Sequence, residues 1–469
     1  MRRGAFSTIS GSIVAVAAIL TTFGSLSAQA PVAFPPVPID VGGPTDPEIE
    51  RIVATLEKSG CLFGYGASLS DEIVNWPEYG CIRVDGAKMK DDHWDLLLQL
   101  PPVKLLSLHN TPPAGSVRDC LRQMSQLSEL QLHNSLDDGG MSTIAELPGL
   151  QAIRIAETKI SDHGIWYLEE LQNLKHVELE ELPVTNQSFH YLKQLPRLST
   201  LSVTAADLSG PWYLKNGDFP CLGKLTLEGE KVTDEVAEQV SQLKSLVEVR
   251  FERTNLTMAG LAQLAGMPNI EQLSATQSTL EDAPCTMALP AAKLHSLDLS
   301  GTSAGDQFLG SMANFPSLAE LNLSDAKVTD VGVAKLQCLK SLETLRLNNT
   351  QVTNIGLESI DSLPSLREIH LHGTKLNGDV LDHLTAVKTL EWIDLSNTNV
   401  SGEKLSKLAE LPNLRGVALF NTPISASDLP YLRKLSHVDE VYVDGSQLTV
   451  AEQQKLREYY ATAKLRLSR

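Results

Sequence analysis

One repeat length, 24 residues, constrains this chain more than any other feature. Segments such as LLSLHNT, LDLSGTS, LRLNNTQ and IDLSNTN fit one frame, L-x-x-L-x-L-x-x-T. The last position of that frame, the anchor, recurs 16 times between Ala87 and Ser446. Fourteen of the fifteen steps are 24 residues, and the step from Ser135 to Thr158 is 23. Five residues before every anchor stands an aliphatic side chain, from Ile82 to Val441. With 42% hydrophobic residues overall, chance does not produce such a column. A length of 469 would otherwise allow about three ordinary domains. A fixed period means instead a stack of small units, since one unit cannot bury its own apolar face.

The second half of each unit is just as regular. Val328-Thr329-Asp330 is followed by Gly332-Val333, Leu336 and Leu339, and Ile160-Ser161-Asp162 by Gly164-Ile165, Leu168 and Leu171. A hydroxyl residue beside Asp or Asn starts a helix, so Asp162, Asp234 and Asp330 are expected to act as helix caps. Proline often follows, as at Pro196, Pro268, Pro316 and Pro364, and stops the helix. Each unit is therefore expected to hold one short strand, one turn and one short α or 3₁₀ helix.

These motifs resemble leucine-rich repeats. The T-x-V-T-D-x-G-L-x-x-L-x-x-L-P-x-L form is similar to the 24-residue type of many exported bacterial proteins. It is more distantly similar to the repeats of ribonuclease inhibitor and F-box receptor proteins. The likeness covers roughly residues 79–463 and departs at the anchor, where Thr or Ser replaces the family's usual Asn in 11 of 16 units. Their hydroxyls can still bond turn backbone. Leu182 and Glu230 break the pattern. The resemblance implies an α/β solenoid of about 16 repeats, with a parallel sheet on a concave face and short helices on the convex face.

The termini read differently. Arg2 and Arg3, the apolar run Ile13 to Leu20 and Ala28-Gln29-Ala30 have the order of a secretory signal peptide, assigned to residues 1–30. The run is too short and interrupted for a confident membrane span, so no insertion is expected apart from this segment if it is retained. Residues 31–44 are a Pro/Gly-rich linker. Residues 45–78 form an N-terminal cap whose helix starts at Pro47 and ends at Gly60. The solenoid follows over 79–446. Residues 447–469 form a C-terminal cap, with a capping box at Thr449–Glu452 and a basic tail suited to a helix end or a frayed terminus. The expected location is periplasmic, cell-envelope or extracellular.

Chemistry is sparse. Acidic residues number 57 against 39 basic ones, a net charge of −18 that disfavours nucleic acid and anionic lipid. No C-x-x-C, G-x-S-x-G, H-E-x-x-H or P-loop motif occurs. No catalytic residue, cofactor or metal is therefore assigned, and the chain is not read as an enzyme. Of six cysteines, Cys61 and Cys81 fall on the segments expected to pair in the N-terminal cap, which makes them a candidate disulfide. His370 and His372 share a strand face with Asp394 of the next unit, a conceivable ligand set, but exposed recognition histidines are commoner.

The residue four before each anchor faces out of the sheet, and 14 of these 16 are polar or charged. Large rings at outward positions are anomalies, and Trp392, Phe420 and Tyr442 are three such rings in consecutive units. With Arg346, His370, His372 and Asp394 they form a candidate site for a protein or glycan partner. Packing of the rings against the C-terminal cap is the competing explanation. Self-association in an envelope layer and an unrecognised enzyme site are the other functional readings.

Overall fold

The computed structural model describes residues 47–63, 66–67, 73–74, 81–208, 212, 214–287, 291–444, 449–459 and 466–468. The expected signal segment and linker lie outside the described residues. Within residues 46–469, which form one compact unit, each of the 16 anchors is preceded by a strand. They run from Cys81–Asp85 to Glu440–Asp444. These strands pair in parallel with their sequence neighbours in one sheet. The register is set by the aliphatic column, so that Leu321 opposes Leu345, and Leu345 opposes Ile369. None of the 16 column residues is more than 2% exposed. Side chains alternate along a strand, so residues six, four and two before each anchor line the other, uncovered face. The short helices pack behind the aliphatic column.

The strands are five residues long as far as Glu248–Glu252 and shrink to three between Gln272–Ser274 and Trp392–Asp394. Local side-chain chemistry accounts for several of these endings. The side-chain oxygens of Asp298, Asn322 and Asp394 each accept the backbone N–H two residues on. That bond turns the chain away from extended geometry. The residue just before the anchor has positive φ in 14 units, from Asn110 to Asn421, three of them glycine. Asn and Gly tolerate this conformation best. Several of these side chains join across units: Asn134 Nδ2 donates to Asn110 Oδ1 at 2.9 Å, and Asn421 Nδ2 to Asn397 Oδ1 at 2.7 Å. The anchor hydroxyls do bond turn backbone, as Thr350 Oγ1 does to the Leu347 carbonyl at 2.7 Å. Leu182 takes an anchor position as a buried apolar side chain.

The recurring aspartates act differently from simple caps. The hydroxyl residue before them is the cap: Ser161, Thr257, Thr329 and Thr353 each accept from a backbone N–H in their own first turn. The aspartate reaches into the next unit instead. Asp330 accepts from Thr353 N and Thr353 Oγ1, both at 2.7 Å, and Asp162 from Thr185 N and Oγ1 at 3.0 and 2.8 Å. Asp138, Asp234 and Asp306 repeat the pattern. The glycine of the motif makes room for it. A Cβ at Gly356 would lie 2.5 Å from Asp330 Oδ1 and 3.0 Å from Asp330 Cα. T-D-x-G thus encodes a staple between consecutive units, because each helix end offers free N–H groups to the carboxylate behind it.

The ends differ partly from expectation. The first helix spans Pro47–Lys58, buries Ile52 and Leu56, and gives way at Gly60, where φ is +91°. Strand Cys61–Phe63 then runs antiparallel to Cys81–Asp85, with Cys61 opposite Val84. That register separates the candidate disulfide pair. Cys61 faces the core beside Met89, whereas Cys81 lies on the uncovered face against Leu105. Three residues of strand, about 10 Å, exceed the roughly 7 Å that a disulfide can span between Cα atoms. Both thiols are free in the structure. Burial pushes Cys61 up to about 12 and Cys81 up to about 11. Only Cys221 and Cys338 are exposed. A native thiol titration with Ellman's reagent is therefore expected to count two reactive cysteines, and all six after unfolding. A count of four on unfolding would restore the disulfide.

At the other end the capping box forms, with Glu452 Oε2 accepting from Thr449 N at 2.7 Å, and starts helix Val450–Tyr459. The basic tail is neither helix end nor frayed terminus. Arg466–Ser468 adds a seventeenth parallel strand, placing Arg466 opposite Tyr442.

Candidate binding face

The uncovered face is a lattice of three rows crossing all strands. Near the C-terminal end, one row reads Glu368, Trp392, Gly416, Glu440, and the next His370, Asp394, Ala418, Tyr442. His372, Ser396 and Phe420 follow in the third row. The structure thus brings the seven candidate residues together on one face within five neighbouring strands, each about 4.8 Å from the next.

Small residues explain how the rings meet. Gly416 and Ala418 leave the fifteenth strand without bulk, and a Cβ at Gly416 would overlap the Trp392 ring. Trp392 therefore leans across Gly416 to Tyr442, with ring centroids 5.8 Å apart and planes at 63°. Phe420 meets Tyr442 at 5.6 Å and 55°. Such edge-on and tilted contacts are favourable for aromatic quadrupoles. Trp392 and Phe420 are half-buried, but Tyr442 is only 5% exposed. Tyr442 is thus a floor for the cluster rather than an exposed contact. Its hydroxyl donates to Glu440 Oε2 at 2.8 Å. The signal for this arrangement was present in the sequence as a lone glycine and alanine beside three rings, yet it says nothing about ring direction.

Charge is unevenly settled on this face. Some central carboxylates have cations at hand: Arg154 Nη2 lies 2.6 Å from Glu180 Oε2, and Lys224 Nζ 3.2 Å from Glu248 Oε1. Asp298 and Glu320 further along, and Asp394 and Glu440 beside the aromatic cluster, have hydrogen bonds but no ion pair among the described residues. Glu368 faces His370 Nε2 at 3.7 Å, too long for a hydrogen bond, and the closeness of that ring, followed by the charge of Arg346, holds its carboxyl below the usual range against the effect of burial. Asp394 accepts the Ser396 N–H at 2.9 Å, and Glu440 accepts the Tyr442 hydroxyl at 2.8 Å. Arg346 stands opposite Asn322 and His370, where its charge acts on Glu368, and it makes no ion pair with Asp394 or Glu440 among the described residues. His370 and Asp394 are register neighbours, but no cluster of three His, Cys, Asp or Glu side chains fit to hold a metal ion occurs among the described residues.

At the opposite end of the face, two histidines that share an offset in adjacent units come together. There the rings of His109 and His133 lie tilted by 40° with centroids 5.1 Å apart, beside Arg83, whose Nη2 lies 3.5 Å from His109 Nδ1. His109 Nε2 is 3.0 Å from Ser107 Oγ. Burial first, then the charges of Arg83 and His133, push His109 down from 6.5 to about 4. A folded-state value below the unfolded one means that the unfolded chain binds more protons between these limits. His109 therefore contributes stability that is intact above about pH 6.5 and lost as pH falls towards 4. Thermal melts are expected to show a shallower loss between pH 6.5 and 4 for His109→Gln than for the parent chain. Equal slopes would remove His109 from the acid response. Behind the sheet, Trp166 is 42% exposed and stacks on His163 at 5.9 Å. No periodicity marked it, because that helix position is variable between units.

The leucine-rich repeat family model matches residues 316–376. No curated protein matches the sequence significantly. Among solved structures, an internalin of Listeria monocytogenes is 18% identical, covering 79% of this chain and 94% of its own, with a TM-score of 0.47. A leucine-rich repeat protein of Leptospira interrogans has the same identity and TM-score and covers 92% of its own length. A plant peptide hormone receptor, solved in complex with a peptide, is 15% identical over 81% of this chain, with a TM-score of 0.43. The assignment rests on the molecule's own sheet: sixteen strands in parallel register over one aliphatic column, fourteen of them followed by a helix among the described residues, give this protein the fold of a leucine-rich repeat solenoid.

Proposed function

We propose that the protein is an exported, non-enzymatic binding scaffold whose concave sheet face recognises a protein partner through its last five repeats. The observation that carries this reading is the Trp392–Phe420–Tyr442 cluster on an otherwise polar, uncovered face. Aromatic anchors set among polar neighbours are the usual make-up of an interface hot spot. Export is supported by the basic, apolar and small-residue order of residues 1–30. No helix among the described residues is long and apolar enough to cross a membrane. A glycan ligand and self-association in an envelope layer are the alternatives. The test uses the mature protein as bait against the envelope fraction of the source cells, with Trp392→Ala/Phe420→Ala as the paired bait. A partner retained by the parent and lost by the variant supports the reading. Concentration-dependent oligomers of the pure protein in light scattering, abolished by the same variant, would favour self-association instead.

A further inference from the structure

We infer that the aromatic cluster receives a lysine or arginine side chain of a basic polypeptide. The inference rests on the proposed binding face and names the chemistry of its occupant. Three observations carry it. The first is the charge balance of the face. The three outward rows of the 16 repeats hold 13 Asp or Glu and only 5 Lys or Arg.

The second is that part of this excess lies beside the aromatic cluster without a cation of this chain, as it also does at Asp298 and Glu320. Central carboxylates such as Glu178, Glu180, Glu228 and Glu248 meet an arginine or lysine of this chain. Asp394 and Glu440, which flank the aromatic cluster, meet backbone and a tyrosine hydroxyl instead. Covering two unpaired carboxylates with an apolar or neutral partner would strip their water without replacing it, which is costly. A partner that brings the missing cations offsets that loss.

The third is the ring geometry. Trp392 lies across Gly416 and against the edge of Tyr442, so its position is set before any ligand arrives. A fixed indole beside carboxylates attracts a cation both by its quadrupole and by their charge. Phe420 closes the third side. A saccharide also stacks on indole and can donate its hydroxyls to the two carboxylates, but it brings no charge to neutralise them.

The test titrates the folded protein with octalysine, following tryptophan fluorescence and calorimetry, at two salt concentrations. An octalysine with every amine acetylated serves as the neutral probe. Asp394→Asn/Glu440→Gln is compared with Asp361→Asn/Glu403→Gln, which removes equal charge from exposed positions outside the three rows. Melting curves confirm that each variant folds. The expected result is at least about tenfold weaker octalysine binding for the first pair and for Trp392→Ala, and less than twofold for the second pair. Acetylated octalysine is expected to bind at least tenfold more weakly than octalysine. Equal losses in both charge pairs, or octalysine binding that ignores Trp392→Ala, would overturn the inference. So would Trp392-dependent binding of chitohexaose without binding of octalysine. A captured partner that needs Trp392 and Phe420 but is acidic would overturn the cationic occupant and leave the binding face standing.

Discussion

Gly356→Ala is expected to destabilise the protein by about 2–4 kcal/mol, a large effect for one methyl group. The new Cβ would sit 2.5 Å from Asp330 Oδ1 and 3.0 Å from the Asp330 backbone. The carboxylate could yield only by giving up two bonds to Thr353, each 2.7 Å long. Overpacking of this kind costs about 1–3 kcal/mol, and a lost hydrogen bond to a charged group about 1.5–3 kcal/mol. The damage falls between two consecutive units, where a solenoid stores its nearest-neighbour stabilisation. Gly115 is the control, since a Cβ there meets nothing within 4 Å. Gly115→Ala is expected to be neutral or to stabilise by up to about 1 kcal/mol. Urea unfolding reads both. The staple also predicts non-additivity: Gly356→Ala should cost less in an Asp330→Ala background, because the opposing oxygen is gone. Strictly additive losses would show that the glycine and the aspartate act independently.

Trp392→Ala with Phe420→Ala is expected to weaken binding of the captured partner by at least about 2 kcal/mol, or roughly thirtyfold in Kd. The fold should survive. Both rings lie on the uncovered face, so truncation opens no sealed cavity of the kind that makes core deletions expensive. The melting temperature is expected to move by only a few degrees. Tyr442 is the wrong residue for this experiment. It is 5% exposed and supports both other rings, so its removal would confound stability with recognition. Normal partner binding by the Trp392/Phe420 variant, or its unfolding, would remove the hot spot.

Much of the repeat architecture was legible because it depends on period and polarity. A column of aliphatic residues five before each anchor can be buried together only if the strands lie in parallel register, and they do. The chemistry of T-D-x-G was legible as a helix start, yet its main consequence was not. The bond from Asp330 runs to a threonine 23 residues away, and a single unit gives no hint that its carboxylate points backwards or forwards. The strand at Arg466–Ser468 was hidden for another reason. Lys464-Leu465-Arg466-Leu467-Ser468 does alternate polar with apolar residues, but it is short and lies outside the 24-residue frame, and the open edge beside Tyr442–Asp444 is what receives it as a strand.

The candidate site divides along the same line. Sequence alone determined which side chains share the uncovered face, since alternation along a strand and a fixed period leave no freedom about which way Trp392, Asp394 or Phe420 points. It also determined the stack, its anchors and the excess of acid. Only the tertiary structure decided which of these residues remain available. Tyr442 is enclosed because Gly416 lets Trp392 lie across its strand. Cys61 and Cys81 stay apart because antiparallel register puts Val84 opposite Cys61. Glu178, Glu180, Glu228 and Glu248 are paired with cations of this chain, whereas Asp394 and Glu440 meet none among the described residues. Period and polarity act along one chain and can be read from it, but ring tilt, strand register and charge pairing are settled between units, by distances that the one-dimensional order does not contain.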